Sequence, residues 1–204
     1  MGEKGLGDTG MTYIRSKVFE SLSGVPAEQD ILNEGVAHGL VYERSAAEHV
    51  KRIKGFQFVA TQVFIEGADP MESTTPDGVI INSESSDQLS YEVSTLETKA
   101  FQVDRHMKCV ESETAQDVKI NDPKSYWQCI HQLHCVDALK GYLAYYHPDL
   151  PMDAGGIRII EFRKMQQVNG KYPIVEDLKF MADRKALAIA EFNRIKSKLT
   201  NIRN

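Results

Sequence analysis

The sequence predicts an α+β fold: an antiparallel sheet packed against two long helices. Runs rich in β-branched and aromatic residues crowd the stretch from Phe56 to Cys109, joined by short connections that favour antiparallel pairing. A strong helix start follows, with Asn121 or Asp122 as cap and Pro123 in the first turn. An amphipathic stretch from about Glu176 to Leu199 closes the chain. Strands gathered ahead of helices, rather than alternating with them, are the α+β pattern.

Taken in order, residues 1–12 are glycine-rich and read as a flexible N-terminal arm, leaving 13–204 as a single α+β domain. Gly5-Leu6-Gly7-Asp8-Thr9-Gly10 formally matches the dinucleotide pattern G-x-G-x-x-G, but no strand precedes it. Thr12–Leu22 and Pro26–Leu32 read as short helices, and Ser45-Ala46-Ala47-Glu48 has capping-box form at the head of a helix over Ala46–Ile53. Phe56–Ile65 is strand-like, Gly67–Pro76 a polar loop, and Gly78–Ile81 a short buried strand. Tyr91–Leu96 and Lys99–Cys109 read as further strands. The helix from Asn121 or Asp122 continues to about Tyr146, where His147-Pro148-Asp149-Leu150-Pro151 stops it. Ile157–Arg163 and Tyr172–Val175 then flank Asn169-Gly170 as a hairpin, with Pro173 confining the second strand to an edge.

Composition is that of an ordinary globular chain, with 204 residues, 42% apolar and 26% charged. A net charge of −5 argues against wholesale affinity for nucleic-acid phosphates, so no nucleic-acid partner is expected. Basic residues gather late, at Arg184, Lys185, Arg194, Lys196, Lys198 and Arg203. They read as the solvated side of the C-terminal helix, or as a face for an acidic protein partner or a second copy. No segment approaches the roughly 20 apolar residues of a membrane span, and the N-terminus has no apolar h-region. As the chain stands it reads as cytoplasmic or otherwise intracellular and soluble; a removed leader or anchor would leave no trace.

Chemistry is concentrated in Trp127-Gln128-Cys129-Ile130-His131-Gln132-Leu133-His134-Cys135, which holds two of the six histidines and two of the three cysteines. At roughly 100° per helical residue, His131, His134, Cys135 and Ala138 share one face, with Trp127, Tyr142 and Tyr145 beside them as pocket residues. Three such ligands with an open position suit copper, iron or catalytic zinc. His106 and Cys109 are further candidate ligands from upstream. Cys129 points away from that face, and its rise of about 9 Å to Cys135 along a helix exceeds disulfide reach. Cys109 could pair with either. The alternative is that this face is core, since cysteine is among the most buried residue types.

The run His131-Gln132-Leu133-His134-Cys135, followed by Val136, Asp137, Leu139 and Lys140, resembles the HxxHC motif of the UstYa-like (DUF3328) fungal proteins. The resemblance covers about fifteen residues. It implies a metal, copper favoured, held by the motif, and oxidative chemistry on peptides or related secondary metabolites. That family typically has a second HxxHC and an N-terminal membrane anchor; neither is present here.

The expected function is therefore a metal-dependent oxidoreductase, copper or iron before zinc, acting on a small molecule or peptide and needing no nucleotide cofactor. His131, His134 and Cys135 would bind the metal, completed by His106 or Cys109. One alternative is a non-catalytic subunit or interaction module whose His/Cys face is core or interface. Another is a small-molecule binding protein. No Ser/His/Asp triad, P-loop, paired-carboxylate constellation or zinc-ribbon spacing is read from the chain.

Overall fold

In a computed structural model of the chain, the described residues are 6–27, 34–56, 58–61, 63–69, 71–83 and 91–201. The elements run α1 (Asp8–Ser23), α2 (Glu34–Lys54), β1 (Phe58–Ala60), β2 (Ile65–Glu66), β3 (Ser73–Thr74), β4 (Gly78–Ser83) and β5 (Tyr91–Ala100). They continue as α3 (Val103–Val110), α4 (Ala115–Asn121), α5 (Pro123–Val136), β6 (Lys140–Tyr146), β7 (Ile157–Arg163) and α6 (Pro173–Thr200). Contacts divide the chain into a unit spanning Leu32–Leu178 and a smaller one that joins Met1–Ile31 to Lys179–Asn204. In the smaller unit Ile14 and Val18 of α1 are buried, and Lys196 of α6 donates to Ser21 at 2.7 Å.

The larger unit is α+β. Its five-stranded sheet has the order β1-β4-β5-β6-β7, and β2 with β3 forms a separate two-stranded ladder. Every neighbouring pair is antiparallel except β5 and β6, which run parallel. A parallel pair needs a long crossover, and α3, α4 and α5 provide it. Because strand side chains alternate, each central strand serves both faces. Leu96 and Ala100 of β5, with Tyr142, Ala144 and Tyr146 of β6, pack on Ala46, Ala47 and Val50 of α2. On the opposite face, Glu97 of β5 meets Gln128 and Gln132 of α5. A Cβ on Gly141 of β6 would lie 3.2 Å from a Leu133 methyl of α5, so the missing side chain lets that helix lie close.

Several expectations are corrected here. The helix carrying the histidines stops at Val136, because Asp137 turns left-handed at φ 50° and its N–H closes on the His134 and Leu133 carbonyls. Such a terminus satisfies the last carbonyls and frees the chain to enter β6. Tyr142 and Tyr145 are therefore strand residues on opposite faces of the sheet. Tyr91–Ala100 is one uninterrupted strand, and Val103–Val110 is a helix. Ser45 lies inside α2, its hydroxyl 3.4 Å from Tyr146. Val168–Lys171 closes a tight turn, but Pro173 then opens α6 instead of entering a strand. Of the strand expected over Phe56–Ile65, β1 and the first residue of β2 form. Asp8–Thr12, expected within the arm, begins α1. Residues 1–5, and 28–32 of the expected helix Pro26–Leu32, lie outside the described residues.

Two outcomes follow from local chemistry. The Thr114 hydroxyl accepts from Asp117 N at 3.2 Å while Asp117 Oδ2 accepts from Thr114 N at 2.8 Å, capping α4. Thr114→Ala should cost about 1 kcal/mol in urea unfolding. His106 of α3 is fully buried, its Nε2 2.8 Å from the Gly155 carbonyl and its ring 5.2 Å from that of His147. Burial holds its imidazole below the ordinary 6.5, with the His147 charge acting in the same direction and the Gly155 bond against both. The unfolded chain therefore takes up the proton first, so the contribution of His106 to stability should be constant above 6.5 and fall as pH drops below it. His106→Gln should flatten that fall in urea midpoints measured between pH 7.5 and pH 5.

Candidate active site

The β4–β5 ladder ends at the pair Gly78↔Leu96, whereas β5 continues to Ala100 with β6 alone beside it. Past that point the backbone N–H of Thr98 has lost its neighbour strand, and a buried N–H must be answered. Asp77, the residue before β4, answers it. Its Oδ2 accepts from Thr98 N at 2.6 Å and from the Thr98 hydroxyl at 2.9 Å. Gly78 makes this approach feasible: a Cβ there would stand 2.7 Å from a Val59 methyl and 3.2 Å from Leu96 Cβ.

On the neighbouring positions of β5, Glu97 and Lys99 are two apart and so share a face. The Glu97 side chain is 1% exposed. Lys99 Nζ and Gln128 Nε2 both donate to its Oε1, and Gln132 Nε2 donates to its Oε2. Gln128 and Gln132 are one helical turn apart on α5, the spacing that lets both reach one carboxylate. Burial raises the Glu97 carboxyl above its ordinary value, the Lys99 charge opposes that, and the Asp77 charge adds to it. Burial alone would depress Lys99, but Glu97, through its charge and its hydrogen bond, more than offsets this and keeps the amine above its ordinary value. Lys99 is thus a cation at neutral pH.

Glu43 joins from α2. Burial, then the charge and hydrogen bond of Asp77, push its carboxyl up to about 7. A cavity of about 350 Å³ opens beside this pair, lined by Glu43, Arg44, Glu48, Val59, Thr61 and Asp77. Three carboxylates, one ammonium and two amides thus converge where β4 and β5 part. Such a cluster can orient water and stabilise developing negative charge, although its carboxylates do not stand in a preformed three-ligand arrangement for a metal ion.

Sequence reasoning missed this cluster. The one signal was Glu97-Thr98-Lys99, two charges at strand spacing, and breaking β5 after Leu96 hid their shared face. Cys129, set aside from the metal face, sits near Glu97 and Lys99, where burial above all raises its thiol well above the ordinary value. A buried protonated thiol is inert.

The expected metal residues are placed as follows. His131 Nε2 lies 3.0 Å from the Ser73 carbonyl, and Cys135 Sγ 3.6 Å from His131 Nδ1. His134 Nε2 lies 3.1 Å from Glu72 Oε2. His106 and Cys109 are buried on α3, where His106 meets Gly155 and His147, while Cys109 lies near Asp122 and Tyr145. Among the described residues, no group of three His, Cys, Asp or Glu side chains stands arranged to hold a metal ion. Of the expected pocket residues, Trp127 packs edge-on to Tyr126 at 5.5 Å, and Ala138 is buried just after α5. Tyr142 packs on Phe56 at 5.1 Å, and Tyr145 donates to Asp122 at 3.2 Å. No disulfide joins any of the three cysteines.

The Glu43–Asp77 contact has a direct readout. In metal-free protein the Glu43 carboxyl carbon should titrate near 7 by NMR, and Asp77→Asn should move it toward 4.5. Titration near 4.5 in both proteins would contradict the arrangement.

Comparison with known proteins gives the same fold elsewhere. An alkaline exonuclease from Laribacter hongkongensis (LHK-Exo) aligns with TM-score 0.65 and 16% identity, covering 99% of this chain and 89% of that one. A structure of LHK-Exo in complex with dAMP gives 0.63 and 18%, covering 94% and 86%. A phage-related exonuclease from Haemophilus somnus 129PT gives 0.63 and 12%, covering 94% and 84%. No curated protein matches the sequence. The model of the YqaJ-like viral recombinase domain matches residues 5–139. That match overturns the UstYa-like resemblance, and with it the copper or iron oxidoreductase of secondary metabolism. It equally overturns a small-molecule or peptide substrate with no nucleic acid, and neither the interaction module nor the small-molecule binder agrees with it. Matched over more than half its length, the chain belongs to the YqaJ-like viral recombinase domain family.

Proposed function

We propose that this protein is a divalent-cation-dependent nuclease that hydrolyses phosphodiester bonds at DNA ends. The observation that carries the reading is the meeting of Asp77, Glu97 and Lys99 at the parting of β4 and β5, with Glu43 beside them. The family and the exonuclease fold support it, as does LHK-Exo having been solved with dAMP, a deoxynucleotide.

The donor set fits a hard cation such as Mg²⁺ or Mn²⁺, because the ligands on offer are carboxylate oxygens, and not copper, which favours imidazole or thiolate. The Asp77 contact keeps a proton on Glu43, and a cation between the two carboxyl groups would take that proton's place. Asp77 and Glu97 would hold the ion, with Glu43 adjoining; Glu97 would do so on exchanging part of its present contact with Lys99, Gln128 and Gln132. When bound, such an ion neutralises phosphate charge and lowers the pKa of its water.

The remaining work falls to the chain. Lys99, fixed as a cation by Glu97, stabilises the charge that gathers on the phosphoryl oxygens as the attacking oxygen arrives. It is not the base that takes the proton from water, because its own proton is held tightly. Gln128 and Gln132 keep Glu97 in one orientation, and the Thr98 backbone does the same for Asp77. Arg44, on the wall of the adjoining cavity, supplies positive charge where a phosphate backbone would run.

The test is release of mononucleotides from linear duplex DNA in Mg²⁺ or Mn²⁺, with closed circular DNA left intact. Asp77→Asn and Glu97→Gln should abolish release, and Lys99→Met should slow it about 100-fold to 1,000-fold. Chelation should stop the reaction, with Mg²⁺ but not Cu²⁺ restoring it. Absence of release from linear DNA by the wild-type protein in either cation would contradict the reading.

A further inference from the structure

We propose that His131 and His134 are positioning residues: they tie the β2–β3 ladder to α5 and thereby set where Asp77 stands relative to Glu97. The inference rests on the nuclease reading above, but its mechanical part does not.

The β2–β3 ladder is minimal. It has two residue pairs, Ile65↔Thr74 and Glu66↔Ser73, and its turn is closed by Gly67 N to Glu72 O at 2.8 Å and Glu72 N to Asp69 O at 2.9 Å. A two-stranded ribbon of this length does not hold a position on its own. α5 packs against both of its strands. The polar anchors are His131 Nε2 at 3.0 Å from the Ser73 carbonyl and His134 Nε2 at 3.1 Å from the Glu72 carboxylate. Cys135 Sγ lies 3.6 Å from His131 Nδ1, packed one turn along the same helix.

From Ser73 the chain reaches Asp77 through Thr74, Thr75 and Pro76 only. Pro76 removes one soft dihedral from that short path, so a displacement at Ser73 is carried into Asp77 rather than absorbed. Asp77 is fixed from the other side by Thr98. Meanwhile Gln128 and Gln132 of the same α5 grip Glu97. Thus one helix of fourteen residues references both carboxylates: one of its faces holds Glu97 directly, the next holds the lead-in to Asp77. The His/Cys motif that looks like a metal site in sequence is the second of these faces. The Nε2–H of His131 is spent on a backbone carbonyl, a task that needs a donor of the right reach and no metal chemistry. A glutamine amide meets the same requirement, and alanine does not.

The experiment compares full-length wild type, His134→Ala, His131→Ala, and the double variant H131Q/H134Q on linear duplex DNA in saturating Mg²⁺. Hydrogen exchange over residues 65–78 is followed in parallel. Each alanine variant should lose about 10-fold to 100-fold in kcat, the scale of a displacement near 1 Å, with KM for DNA ends changed less than about 2-fold. Exchange over 65–78 should quicken while α5 stays protected, and H131Q/H134Q should recover most of both losses. His134 is one-third exposed, so its alanine variant keeps the test alive if His131→Ala does not fold. Alanine variants with wild-type kcat and unchanged exchange would overturn the proposal, as would glutamine variants no better than alanine. A wild-type protein that releases no nucleotide sinks the nuclease reading alone; exchange over 65–78 then decides the mechanical claim, supporting it if alanine quickens exchange and glutamine restores it, and overturning it otherwise.

Discussion

A carboxylate cannot be taken out of water unless its oxygens are answered, and Glu97 is nearly fully enclosed in the middle of a five-stranded sheet. Three donors answer it, one from its own strand and two from α5. That requirement fixes which face of β5 the helix covers and in which rotation, because Gln128 and Gln132 must both point at one side chain. It also keeps the strand polar where its opposite face, at Leu96 and Ala100, is packed with the aliphatic and aromatic residues of α2 and β6. Replacing the cluster with hydrocarbon would fill the same space at lower desolvation cost. A buried charge with a lysine and a second carboxylate beside it is the arrangement that the proposed nuclease site requires.

The carboxylate cluster sits where the β4–β5 pairing ends and β5 runs on beside β6. Where β4 leaves β5, backbone groups lose their partners, and Asp77 closes the gap with a side chain instead of a strand. A charged residue that completes a ladder is held more firmly than one on a loop, which suits a group that must hold its place while substrate comes and goes. α2 brings Glu43 to the same seam from the opposite layer. Both helical layers thus contribute to one cluster, and the cavity beside it opens between α2 and the β1 side of the sheet.

What was legible in the sequence follows the physics of each signal. The α+β class was readable because period-2 runs and capped amphipathic stretches are local. The parallel register of β5 and β6 was not, since it depends on where a crossover lands. The end of α5 was lost because Asp137 has a left-handed turn that asparagine or glycine would have announced and aspartate does not. Extending that helix to Tyr146 placed Tyr142 and Tyr145 beside the histidines on paper, when the fold puts them on two faces of a strand. A break drawn after Leu96 hid the Glu97/Lys99 pair. The net charge of −5 pointed away from nucleic acid, yet net charge is a global sum and the placement of a few side chains around one cavity is not contained in it. The His/Cys run stands out by residue type, but residue type alone does not say whether such a face holds a metal or packs on a neighbouring element.

The central claim is that the cation belongs to the carboxylates at the β4–β5 seam and not to the imidazoles and thiol of α5. Anomalous diffraction from crystals soaked in Mn²⁺ addresses it directly. The account predicts a peak bounded by Asp77 and Glu97 that vanishes in Asp77→Asn and leaves the His131–Ser73 contact unbroken. A peak at His131, His134 and Cys135 that survives in Asp77→Asn would contradict it.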